Sequence, residues 1–190
     1  MKVLLLGSAG QLGQAFAHQP LWAEFTTLCY NRLQLDITNP TALTKVFEQY
    51  MPDVVINCAA YTAVDKAEQQ PASCFTINAD AVRHLATLCQ QHNCLLVQFS
   101  TDYVFDGKSL HAYTEQDLPA PINCYGKSKL QAEQAVQANC SKHLILRTSW
   151  LFSEYGHNFY RTMLALAQKG SAISVVNDEI GCPTYAGDVA

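Results

Sequence analysis

Tyr125-Gly126-Lys127-Ser128-Lys129 holds the residue types best suited to chemistry in this chain. On a helix, Tyr125 and Lys129 stand one turn apart on the same face, which sets an ammonium beside a phenol. A free phenol ionises near pH ~10, too high to exchange a proton readily at neutrality. A close cation favours the phenolate and moves tyrosine toward general acid or base work. The same five residues also read as a surface helix start, with two solvated lysines and a tyrosine half in the core. A pattern this short arises often by chance, so its weight depends on what surrounds it.

The elements that must position it alternate. Lys2 to Leu6 is a short apolar run that ends at Gly7-Ser8-Ala9-Gly10-Gln11-Leu12-Gly13, and Gln11 to His18 reads as a helix. Glycines three apart between a strand and a helix allow a tight turn and let backbone N–H groups approach a pyrophosphate at the helix N-terminus. Phe25 to Tyr30 is a second strand, followed by Asn31 and Arg32. An acid after that strand would suit a ribose 2′-hydroxyl and a base a 2′-phosphate, so Arg32 tilts the choice toward NADPH over NADH. Asp36 falls where a short third strand would end. It either borders the adenine or, with Thr38, caps a helix from Thr41 to Tyr50.

Asp53 to Asn57 is an almost unbroken apolar strand running into Cys58-Ala59-Ala60-Tyr61-Thr62, whose small leading residues leave room for a dinucleotide. A short helix follows at Val64 to Glu68. Helical spacing of Cys74, Ile77, Ala81, Leu85 and Leu88 predicts one long helix from Pro71, with Asn78 placed to bond backbone near the neighbouring strand. Leu95 to Phe99 is the next strand and ends at Ser100-Thr101-Asp102. There a hydroxyl is placed either to bond a substrate carbonyl or to cap a turn. A loop from Leu110 to Pro121 leads to the Tyr125 helix, which runs to about Ala138. His143 to Thr148 is a strand, Asn158 to Gln168 a helix and Ile173 to Val176 a further strand. The pattern is that of an α/β Rossmann-like, doubly wound parallel sheet with helices on both faces. Three candidate stretches, at Gly7, Ala59 and Thr101, follow strands and therefore share one edge.

Composition narrows the class. Nearly half of the 190 residues are hydrophobic and 15% are charged, which describes a globular chain with one substantial core. A formal net charge of −4 without a basic run argues against nucleic acid as a partner. No apolar run suits a secretory signal or a bilayer span, so no membrane association and a cytoplasmic location are expected. Eight scattered cysteines lack C-x-x-C spacing and read as free, mostly buried thiols. The histidines fall at no zinc-binding spacing, and no metal is expected.

Taken together, Gly7-x-x-Gly10-x-x-Gly13, the Asn57 to Thr62 run, Ser100-Thr101-Asp102-Tyr103-Val104-Phe105 and Tyr125-x-x-x-Lys129 resemble the extended short-chain dehydrogenase/reductases. Ala63-Val64-Asp65-Lys66-Ala67-Glu68, the Ser100 to Gly107 run, Tyr125 to Leu130 and Leu146-Arg147-Thr148-Ser149-Trp150 narrow the likeness to the dTDP-4-dehydrorhamnose reductase family. The resemblance implies reduction of a dTDP-4-keto-6-deoxy sugar by NADPH or NADH. It places Gly10, Gln11 and Leu12 on the dinucleotide pyrophosphate, Asp36 and Ile37 at the adenine, and Ala60, Tyr61 and Thr62 along the cofactor. It puts Thr101 and Asp102 at the sugar, Tyr125 as proton donor, Lys129 on the nicotinamide ribose and Trp150 against substrate. Phe99 stands where relatives often carry tyrosine, which leaves it a packing role.

Family members are usually longer, with a C-terminal lobe for the nucleotide sugar. The expectation is therefore a dinucleotide-binding domain over residues 1–150, and over 151–190 the last sheet elements with an incomplete start of the substrate lobe. Such a piece should lack turnover alone and expose apolar surface that favours a homodimer. Two other classes remain open: a noncatalytic relative such as the regulatory subunit of methionine adenosyltransferase, and a sugar-nucleotide epimerase or dehydratase.

Overall fold

In the computed structural model, which describes residues 1–170 and 172–190, apolar runs separated by helices become parallel strands. β1 (Lys2–Leu6), β2 (Thr26–Tyr30), β3 (Val54–Asn57), β4 (Leu95–Thr101) and β5 (His143–Thr148) form one sheet in the order β2-β1-β3-β4-β5. Parallel neighbours need crossovers, and helices supply them. α1 (Gln11–His18) follows β1, and α2 (Pro40–Tyr50) follows β2. α3 (Val64–Gln69), α4 (Pro71–Phe75) and α5 (Ala81–Gln91) lie between β3 and β4, and α6 (Cys124–Asn139) leads to β5.

Strand alternation explains why β1 is apolar from Val3 to Leu6. Val3 and Leu5 pack with Leu12 and Phe16 of α1, whereas Leu4 and Leu6 face Leu43, Phe47, Leu85 and Val136 on α2, α5 and α6. Both faces are covered, so neither set of positions tolerates a polar residue. From β1 the chain first adds β2 on one side and then β3 on the other. That reversal opens a crevice outside the carboxyl ends of β1 and β3, where sheets of this kind take ligands.

The remaining chain builds a small parallel pair, β6 (Leu151–Phe152) with β7 (Thr184–Tyr185), together with α7 (Phe159–Gln168) and α8 (Ala186–Val189). Ala186 is buried in the same cluster as Leu12 and Phe16, so α8 packs back on the sheet's α1 face. Among the described residues no helix is long and apolar enough to cross a membrane. All eight cysteines are free thiols, five of them buried.

Four expectations need correction. No third strand forms at 33–38. Asn31 Oδ1 accepts the Leu33 and Gln34 N–H groups, and its carbonyl accepts those of Gln34 and Leu35, so local turns consume the donors a strand would need. Leu35 and Ile37 are still both buried, which is the period-two pattern that imitates a strand. Asp36 does not cap α2, because Asn39 does, accepting from the Ala42 N–H at 3.1 Å. The helix from Pro71 is interrupted by a π-helical turn at Thr76–Asp80. Ile173 to Val176 forms no strand, and its Ile and Val side chains are exposed. An apolar β-branched run becomes a strand only where an edge is available to pair with it.

Candidate active site

Gly7 ends β1 with φ +77°, in the left-handed region that glycine adopts without strain. A Cβ there would also come within 2.6 Å of the Ala59 backbone nitrogen, so the turns after β1 and β3 can approach only around a bare Cα. The N–H groups of Gly7 and Ser8 both donate to the Tyr30 carbonyl, at 2.9 and 3.0 Å. Gly10 then begins α1 with no side-chain cap, which leaves the first-turn N–H groups facing the crevice. This cradle, open and polarised positive by the helix end, fits a dinucleotide pyrophosphate.

The crevice wall is completed by Arg32, Asp36, Ile37, Cys58, Ala59 and Ala60. Arg32 Nε lies 3.6 Å from Asp36 Oδ2, both side chains being solvent-facing. The Thr38 N–H and hydroxyl hold the Asp36 carboxyl below its usual range, with Arg32 adding to the effect. Arg32, Asp36 and Ile37 thus stand together at the rim beyond β2. Gln11 and Leu12 can offer only backbone. The Gln11 side chain donates to the Leu151 carbonyl at 3.1 Å and accepts from Asn158 Nδ2 at 3.2 Å, while Leu12 is buried in the core.

Tyr61 and Thr62 lie beyond the crevice wall. The backbone of Tyr61 is held by Asn78 in the π-helical turn, whose Oδ1 accepts the Tyr61 N–H at 2.8 Å and whose Nδ2 donates to its carbonyl at 3.1 Å. The bond from Asn78 to backbone after the neighbouring strand is therefore present. Asn78 Nδ2 also reaches Ser128 Oγ at 2.9 Å, and Ser128 donates to the Tyr125 carbonyl at 2.7 Å. One buried amide thus ties the turn after β3 to the start of α6.

α6 starts where two side chains accept its free N–H groups, Asn123 from Gly126 at 2.7 Å and Glu68 from Cys124 at 2.6 Å. Gly126 lies so close to the Tyr103 carbonyl that any Cβ would collide with it. The first turn of α6 can therefore sit against the 3-10 turn Asp102–Val104 that follows β4. Thr101 and Tyr125 meet there: the Thr101 hydroxyl lies beside the phenol, and the Tyr103 ring stands edge-on to that of Tyr125 at 5.8 Å. Thr101 also caps its own turn, accepting from the Tyr103 N–H at 3.2 Å and donating to Asp102 Oδ1 at 3.0 Å. The two readings of Thr101 are compatible.

Burial pushes Tyr125 up to about 12, and the neighbouring Thr101 hydroxyl only partly opposes it. The expectation that Lys129 draws this phenol toward phenolate is corrected, because desolvation of the ring outweighs any cation and the phenol keeps its proton at neutral pH. Lys129 is 3% exposed, and its Nζ donates to the Phe99 carbonyl at 2.5 Å. Burial brings it down to about 8, with Glu133 pulling the other way. Phe99 thus packs on Phe16, at 5.9 Å between ring centroids, and also supplies its carbonyl to the site. Trp150 holds φ +46° just after β5 and is half exposed. Among the described residues no cluster of three or more metal-ligating side chains occurs.

The chain matches over residues 1–190 the family described as RmlD substrate binding domain. It belongs to that family. A dTDP-4-dehydrorhamnose reductase of Aggregatibacter actinomycetemcomitans is 42% identical over 190 residues, which is 100% of this chain and 65% of that relative. The chain thus spans about two thirds of the length of the curated relatives it matches. A Bacillus anthracis dTDP-4-dehydrorhamnose reductase solved in complex with NADP superposes with a TM-score of 0.95 at 42% identity, covering 99% of this chain and 67% of that one. UDP-glucose 4-epimerase of Thermus thermophilus, solved with NAD, superposes at 0.84 with 22% identity, covering 100% of this chain and 72% of that one, and shows the fold alone.

Residues the sequence reading passed over include Ala9, Leu35 and Ile77 in the crevice wall, Ser128 beneath Tyr125, and the ion pair of Glu133 with Arg147. Glu133 had a signal, since it follows Lys129 by the same four residues that separate Lys129 from Tyr125.

Proposed function

We propose that this chain is the dinucleotide-binding and proton-donating part of a dTDP-4-dehydrorhamnose reductase, which converts the 4-keto group of dTDP-4-dehydro-L-rhamnose to the alcohol of dTDP-L-rhamnose. The observation that carries the reading is a half-buried Tyr125, protonated at neutral pH and beside the Thr101 hydroxyl, at the sheet edge that also holds the glycine cradle. Reduced nicotinamide dinucleotide, when bound, supplies the hydride for C4.

The chain's own residues do the rest. Gly7, Gly10 and Gly13 let the backbone N–H groups of Gln11 and Leu12 meet the pyrophosphate. Asp36 and Ile37 border the adenine, and Arg32 favours the 2′-phosphate of NADPH over NADH. Ala60, Tyr61 and Thr62 line the path toward the nicotinamide, with Phe99 packed behind it. Lys129 turns its remaining N–H donors to the nicotinamide ribose. Tyr125 holds a proton at its phenol oxygen for the developing alkoxide, and the Thr101 hydroxyl bonds the same oxygen. Asp102 and Trp150 contact the sugar. Residues 1–150 form the dinucleotide-binding domain, and 151–190 begin the substrate lobe. Eight free thiols suit the cytoplasm.

The test is an assay of this chain within its intact gene product, with dTDP-4-keto-6-deoxy-L-lyxo-hexulose and each reduced cofactor. Stoichiometric NADPH consumption is expected, whereas an epimerase or dehydratase consumes none net. Tyr125→Phe should lower turnover by about 10²-fold or more with little change in cofactor affinity. Equal losses in both would count against the proton-donor role.

A further inference from the structure

Glu133 is a carboxylate in an unexpected place. It lies one turn beyond Lys129 on α6 and is itself 3% exposed, so the helix buries two opposite charges on one face. It is gripped by Arg147 of β5, whose Nε and a terminal nitrogen donate to the two carboxylate oxygens at 2.9 and 2.6 Å. That guanidinium rests on the Phe105 ring at 4.9 Å, and Phe105 stacks on Tyr113 at 4.2 Å. The carboxylate is therefore clamped from β5, with its position referred to the turn that carries Thr101. A buried bidentate pair of this kind contributes little net stability compared with well-packed apolar residues. A different use explains it better.

We infer that Glu133, fixed by Arg147, is the positioning residue that keeps the buried Lys129 amine protonated and thereby sets the upper pH limit of dinucleotide binding. The other titratable groups facing Lys129 are the Tyr125 phenol one turn before it on α6, which keeps its proton, and the thiols of Cys74 on α4 and Cys58 after β3, while β4 presents the neutral Phe99 carbonyl. Burial holds the Cys58 thiol neutral. Glu133 is thus the anion available to offset the desolvation of the ammonium. Arg147 grips both oxygens of that carboxylate from β5. The proposal rests on the reading that Lys129 holds the nicotinamide ribose, but the charge on Lys129 can be read without any cofactor.

The experiment follows the Lys129 side chain by 13C NMR in lysine-labelled protein, assigned with Lys129→Met, and in parallel measures NADP+ affinity from pH 6 to pH 9.5. In Glu133→Gln the Lys129 midpoint should fall by one pH unit or more, with an affinity loss of about tenfold at pH 8 and little at pH 6. Arg147→Met, which leaves the carboxylate in place, should not lower the midpoint. A purely structural pair predicts that both variants act alike, and that result would overturn the inference, as would an unchanged midpoint in folded Glu133→Gln. If Glu133→Gln alone does not fold, the double variant with Arg147→Met removes both charges together, and a smaller fall in the same direction is expected. Should the unaltered protein bind no dinucleotide at any pH, the reductase reading fails, while the NMR midpoints still judge the role of Glu133.

Discussion

Replacing Lys129 with methionine should make the protein more stable and less able to bind its cofactor. Burial brings the Lys129 amine from an ordinary 10.5 down to about 8. At about 1.4 kcal/mol per pH unit, carrying that ammonium costs the folded state about 3 kcal/mol at pH 7. Methionine fills a similar volume without charge, but it leaves the Phe99 carbonyl without its donor, a loss of about 1 kcal/mol. The net gain at pH 7 is about 2 kcal/mol. Its pH dependence has a definite sign. Below the folded value of about 8, lysine is charged in both folded and unfolded chains and the whole penalty applies. Between 8 and 10.5 the folded amine sheds its proton while the unfolded one keeps it, so wild-type stability rises with pH. The advantage of the variant should therefore shrink to near zero by about pH 10. Urea denaturation of both proteins at pH 7 and pH 10 measures it, with NADPH fluorescence titration alongside to follow the expected loss of affinity. A variant less stable than wild type at pH 7, or a difference that does not change with pH, would refute the reasoning. Unaltered cofactor affinity would argue against the ribose contact.

Other substitutions probe the rest of the site. Gly7→Ala forces a side chain into the left-handed region, at about 1–2 kcal/mol, and against the Ala59 backbone. Thermal melts should show the loss and dinucleotide affinity should fall at least about tenfold, since the cradle must open; unchanged affinity would disprove the close approach. Asn78→Ala removes the amide that joins Tyr61 to Ser128 and should cost about 2–3 kcal/mol in denaturation midpoints, while a cost under about 0.5 kcal/mol would mean that water replaces it without penalty. Arg32→Ala should weaken NADPH binding and leave NADH binding nearly intact in paired titrations, and equal effects on both would remove Arg32 from cofactor selection.

Much of this site was legible because its signals are local. The glycine turn, the small residues after Asn57 and the spacing of Tyr125 and Lys129 each follow from backbone sterics and helical period, and they sit after strands recognisable by their apolar runs. The same local rules misread Leu33 to Thr38 and Ile173 to Val176. Burial alternation at Leu35 and Ile37 is shared by strands and by turns pressed on a core, and only hydrogen-bond partners tell them apart. Lys129 and Tyr125 were read correctly as a pair on one helix face, yet their mutual effect was not, since the degree of desolvation is a property of what packs over them.

The sequence by itself determined the succession of strands and helices, the common edge for the residues after β1, β3 and β4, and the family to which the motifs belong, because these depend on neighbours a few residues apart. Tertiary structure alone decided that Lys129 bonds the Phe99 carbonyl, that Thr101 meets Tyr125, and that Arg147 on β5 grips Glu133 on α6. Those contacts join elements brought side by side by sheet order, and their energies depend on the exclusion of water, which no local pattern records.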